Sequence, residues 1–101
     1  MGKILFEKTQ HLIEDELASI PEKYQKDFNS THEGYAVILE EVRELETEVF
    51  FGEKAARIDA INNGYQGDEI KAVATKTHRE KMKKECVQIA AMCVRFIQEL
   101  T

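Results

Sequence analysis

Apolar residues recur at three- and four-residue spacing along this chain, and no stretch alternates singly as a strand would. The pattern predicts an all-α fold. A first helix runs from about Lys3 to Ser19, with Leu5, Leu12, Ile13, Leu17 and Ile20 toward the core. Pro21 ends it or opens a short turn carrying Tyr24 and Phe28. Ser30-Thr31-His32-Glu33 reads as a capping box that starts a second helix. Its apolar stripe is Tyr35, Ile38, Leu39, Val42, Leu45 and Val49.

That helix either stops at Gly52 or continues to Asn63-Gly64, a good C-terminal cap. Gln66-Gly67-Asp68 is a loop, and Asp68 caps a short helix through about Lys76. A second box, Thr77-His78-Arg79-Glu80, then predicts a separate last helix to about Leu100. One unbroken helix from Asp68 would be about 50 Å long, so a break is expected. The count is four to five helices in a single domain, residues 1–101.

From Cys86 to Leu100 the last helix is apolar nearly all round. Such a helix needs burial on several sides, which a chain this small does not easily supply. A homodimer or homotetramer that completes the bundle is expected. Ala90 and Ala91 would allow close helix approach.

Composition narrows the function classes. The net charge of −5 weighs against a nucleic-acid polymer as partner, since such proteins usually carry a basic surface. No apolar run approaches the roughly 20 residues that span a bilayer, and the N-terminus is charged too early for a secretory signal. Cys86 and Cys93 are seven apart, about 10 Å along a helix and too far for a disulfide with each other. They read as reduced core residues, and a cytoplasmic location fits.

The densest chemistry is in Leu39-Glu40-Glu41-Val42-Arg43-Glu44-Leu45, an E-E-x-x-E run, with Glu48 one turn beyond. Glu40/Glu44, Glu41/Glu44 and Glu44/Glu48 are like-charge neighbours on a helix, each costing a few tenths of a kcal/mol. A helix can hold such carboxylates for a hard divalent cation, or simply present an acidic face to water. Lys76, Arg79, Lys81, Lys83 and Lys84 form a basic cluster, either a solvated face or a contact for phosphates. Arg95, inside the apolar helix, pairs with an acid across an interface or binds phosphate. His32 is a structural neighbour of the cap or a base contact. Tyr35 and Tyr65 pack at a rim or stack on a base.

Two stretches, His32–Leu45 and Glu85–Ile97, resemble the MazG-like all-α nucleoside triphosphate pyrophosphohydrolases, the short phage-type members most closely. That family carries E-E-x-x-E on one helix and E-x-x-D on another, four carboxylates that hold Mg²⁺. The resemblance implies metal ligands at Glu40, Glu41, Glu44, Glu85 and position 88, with Glu41 and Glu44 as the catalytic carboxylates. It also implies Mg²⁺, or Mn²⁺, as cofactor and a nucleoside triphosphate as ligand. Water would attack to release pyrophosphate and a monophosphate. Lys81, Lys84 and Arg95 are the candidate phosphate contacts. This chain has Gln88 where the family has Asp. A neutral amide oxygen in place of an anion predicts weakened metal binding and activity.

Overall fold

The computed structural model describes the backbone of residues 3–20 and 27–101, and the side chains of 6–20 and 27–101. Among these residues there are three α-helices and no strand: α1 (Lys3–Ser19), α2 (Thr31–Asn62) and α3 (Asp68–Leu100). No described helix is long and apolar enough to cross a membrane. The expected roles of Leu5, Pro21 and Tyr24 lie outside the described side chains.

The start of α2 follows its capping signal. Ser30 Oγ accepts from the Glu33 amide at 3.2 Å, which satisfies one of the unpaired N–H groups of the first turn. The reciprocal half of the box is replaced: the Glu33 carboxylate accepts from the Asn29 side-chain amide at 2.8 Å. Of the two possible ends of α2, the far one is adopted. The Tyr65 amide donates to Ala60 O and the Gly64 amide to Ile61 O, both at 3.1 Å, which closes a Schellman motif. Gly64 sits at φ +93°, a conformation that costs little only without a Cβ.

The break expected at Thr77 is absent, and α3 is one helix of 33 residues. Thr77 and His78 are half-buried rather than solvated. The contact of His78 with Glu48 on α2 holds the i→i−4 ladder through a local capping signal that would otherwise compete. The expected count of four to five helices included this break and the turn around Pro21.

The chain divides into two compact units. One holds residues 1–41 and 86–101, so it takes α1, the start of α2 and the end of α3. Phe28, 8 % exposed, is its largest buried residue among those described. A glycine at position 34 lets α2 approach the end of α3. A Cβ there would lie 2.7 Å from the Phe96 ring and 2.9 Å from Leu100 Cδ1. A cavity of about 310 Å³ remains between α1 and α3, with Phe6, Ile13, Leu17 and Val94 on its wall.

The other unit is a helical hairpin, residues 42–85, turning at 63–67. Its buried residues are Gly52, Ala56, Ala60 and Ala74. Small side chains let helices pack closely but remove little apolar area from water. Among the described residues no large side chain is fully buried in either unit. Several members of the expected stripe stay open to solvent: Tyr35, Val42 and Val49 are all exposed.

The last helix is only partly covered. Ala91 is buried, residues 87–90 and 92–96 are half-buried, and Ile97 is exposed. Both cysteines are free thiols, but Cys86 is exposed rather than in the core and Cys93 is half-buried.

Candidate functional site

Within the hairpin, α2 and α3 run antiparallel, so residues roughly equidistant from the turn face each other. Two polar pairs result. Nearer the turn, His78 Nδ1 and Glu48 Oε1 are 3.1 Å apart, with side chains only 14 and 17 % exposed. Further from it, by one turn on α2 and two on α3, the carboxylates of Glu44 and Glu85 lie within 4.8 Å of each other. Glu41 precedes Glu44 by one turn of α2.

The electrostatics record the crowding. The Glu85 carboxyl is pushed up from its ordinary value of 4.5. Burial is the largest cause, followed by the charge of Glu44 and a hydrogen bond with it. Lys84 pulls the other way, and Glu48 adds a smaller upward push. Such a carboxyl gains from a cation beside it more than an ordinary surface glutamate does, because the cation offsets both neighbours.

The backbone accommodates this polar seam at Gly52. A Cβ there would overlap the Glu48 carboxylate and come within 2.7 Å of His78 Nδ1. The absent side chain leaves the space in which the Glu48–His78 pair sits.

Of the expected metal ligands, Glu44 and Glu85 face each other, and Glu41 is one turn before Glu44 on α2. Glu40 is exposed and stands outside this group among the described residues. Gln88 is half-buried, one turn beyond Glu85 on α3. Lys81 and Lys84 are exposed, and the charge of Lys84 acts on Glu85.

Arg95 is committed elsewhere. It pairs with Glu99 on its own helix, Nε to Oε2 at 2.9 Å, and its guanidinium lies 4.3 Å from the centre of the Phe28 ring. The acid is thus one turn away, not across an interface. Glu99 also accepts from the Phe28 amide at 2.7 Å. Burial alone would raise the Glu99 carboxyl, but the hydrogen bonds from Arg95 and Phe28 outweigh it and hold the group below its ordinary value.

His32 and Tyr35 are exposed, as is Tyr65. The His78–Glu48 pair is the feature that sequence reasoning missed. The sequence places Glu48 at the end of the glutamate run and His78 in a capping box, and neither signal pairs the two. The available signal was the spacing of Glu41, Glu44 and Glu48 at three and four residues, which puts all three on one side of α2.

No family model, curated protein or solved structure matches this chain.

Proposed function

We propose that this chain is a Mg²⁺-dependent nucleoside triphosphate pyrophosphohydrolase of MazG-like type with weakened activity, acting as a homodimer or homotetramer in the cytoplasm. The observation that carries the reading is the juxtaposition of the Glu44 and Glu85 carboxylates from two helices, with Glu41 one turn away. The donor set is all carboxylate oxygen, which suits Mg²⁺ and Mn²⁺ rather than softer metals. A bound Mg²⁺ would supply charge neutralisation for a triphosphate.

The chain's own residues take the remaining roles. Glu41 and Glu44 orient the attacking water, Glu85 completes the ligand set with the Gln88 amide, and exposed Lys81 and Lys84 meet the phosphates. With Gln88 in place of an anion, binding without efficient turnover is the second reading that the ligand set favours. A purely structural helical oligomer is the third, and metal dependence separates it from the other two.

The test has two readouts. Millimolar Mg²⁺ or Mn²⁺ is expected to raise the melting temperature through ligand linkage, and the Glu44→Gln/Glu85→Gln double variant to lose that response. Pyrophosphate release from NTPs and dNTPs is expected to be slow and to rise in Gln88→Asp. No metal shift in the parent protein would overturn the site. A shift without any release in Gln88→Asp would leave a binding module.

A further inference from the structure

The second half of α2 is apolar on two opposite sides. Gly52, Ala56 and Ala60 are buried toward α3. Phe50, Phe51, Ile58 and Ile61 are 73, 67, 50 and 56 % exposed. At 3.6 residues per turn the centres of the two sets are about half a turn apart around the helix. The sequence pattern points to the apolar end of α3 as the associating surface, whereas the two most exposed rings of the hairpin, Phe50 and Phe51, are on α2.

We propose that this outer face of α2 is the surface through which two copies of the chain pair. The inference rests on the self-association included in the reading above and names its surface; it does not depend on hydrolase activity.

Size supports a protein partner. Two phenylalanines exposed to this degree offer on the order of 300 Å² of ring surface, and the two isoleucines bring the face to on the order of 400–500 Å². A standard interface takes about 800 Å² from each partner, of which about 65 % is apolar in homodimers, so the face is close to what one needs. A patch of this size lies within the roughly 300–600 Å² of the largest patch on a typical monomer, a patch that often has a function.

The hairpin's interior says which partner. It buries glycine and alanine and fully buries no large side chain. Two helices whose buried residues are all small lack the core that sustains a helical bundle. A cover needed for folding must be present wherever the chain is made, and a second copy always is. Two-fold pairing of one face with itself is also the commonest way for such a surface to close. The polar margin fits, because Arg57 pairs with Glu53 at 3.2 Å on one flank. Lys54 falls between the rings, where its long stem can lie along them with the ammonium at the edge.

The experiment places the photocrosslinking residue p-benzoylphenylalanine at Phe51 of the full chain, and in a second protein at Ile97. The substituted ring keeps an aromatic at position 51, and circular dichroism checks that the helices remain. Light scattering of the parent protein should give twice 11.6 kDa or a multiple of that mass. Illumination of the position 51 protein should give a covalent dimer whose crosslink maps to residues 42–62 of the partner copy. A parent mass of 11.6 kDa across the micromolar range overturns both the surface and self-association. An associated parent with no crosslink from position 51, or one mapping outside residues 42–62, overturns this surface alone. Crosslinking from position 97 then locates the association on α3.

Discussion

Replacing Gly52 by alanine should destabilise this protein, against the usual expectation for a helix interior. Position 52 lies deep within α2, where alanine is favoured over glycine by about 1 kcal/mol. The new methyl group, however, would occupy the space of the Glu48 carboxylate and lie within 2.7 Å of His78 Nδ1. Glu48 is flexible enough to swing aside, but only by giving up its contact with His78. A hydrogen bond to a charged group is worth about 1.5–3 kcal/mol, and this one is largely shielded from water. The loss exceeds the propensity gain by about 0.5–2 kcal/mol. For a domain of this size each kcal/mol moves the melting temperature by about 4–8 °C, so a fall of about 2–16 °C is expected. Thermal melts by circular dichroism at neutral pH measure it. The same substitution in a Glu48→Ala/His78→Ala background meets neither side chain, and there it should raise the melting temperature. If Gly52→Ala stabilises the protein in both backgrounds, the glycine is not kept for the Glu48–His78 pair and the reasoning fails.

Two further outcomes follow from the carboxylates. Glu85→Gln should stabilise the metal-free protein at neutral pH by a few tenths to about 1 kcal/mol, by removing a charge held against Glu44. Because the folded-state carboxyl is raised, the parent's penalty sets in as pH rises from 4.5 through the folded value; urea titrations should show the advantage of the variant vanish below about pH 4.5. Glu99→Gln should cost about 1–3 kcal/mol at neutral pH, since it leaves the largely buried Arg95 without its counter-charge. The Glu99 carboxyl is lowered in the folded state, so its contribution is present above 4.5 and lost as pH falls through the folded value; the gap between variant and parent should close only in that more acidic range.

The parts of the fold legible in the sequence are those fixed by local chemistry. The end of α1 and the Ser30 cap depend on residues within a turn of the boundary, as does the Asn63-Gly64 end, one of the two that the sequence left open for α2. The continuity of α3 was not legible. Thr77-His78-Arg79-Glu80 carries a complete capping signal, and the contact of half-buried His78 with Glu48 on α2 decides against it. That misplaced break also hid the polar seam. With α3 cut at Thr77, nothing ties His78 to Glu48. Joined through the Asn63–Gly67 turn, the two long helices bring Glu48 to His78 and Glu44 to Glu85 by distance from the turn alone. The outer face of α2 was hidden for a different reason. Phe50 and Phe51 fall off the stripe that begins at Tyr35, and a single-stripe reading of a helix has no place for a second apolar side.

The three sides of α2 bear on one another energetically. Its inward side places Glu44 against Glu85, an arrangement that costs free energy in the isolated chain. Its small-residue side packs closely against α3 but buries little area, so the hairpin has scant reserve to absorb that cost. Its outer side leaves two phenylalanines and two isoleucines in water. A cation between the carboxylates and a second copy over the rings would each stabilise the same two-helix unit, and each binds only the folded form. Mass action then makes the melting temperature depend on both metal and protein concentration. If the two sites act on one cooperative unit, the metal also tightens pairing by the factor by which pairing tightens metal binding, because such coupling is reciprocal. Sedimentation equilibrium with and without Mg²⁺, in the parent and in Glu44→Gln/Glu85→Gln, reads that coupling directly. A dimer constant that responds to Mg²⁺ in the parent and not in the variant is the expected result. A metal-dependent melting shift with no change in dimer constant would show that the inward and outward sides of α2 act independently.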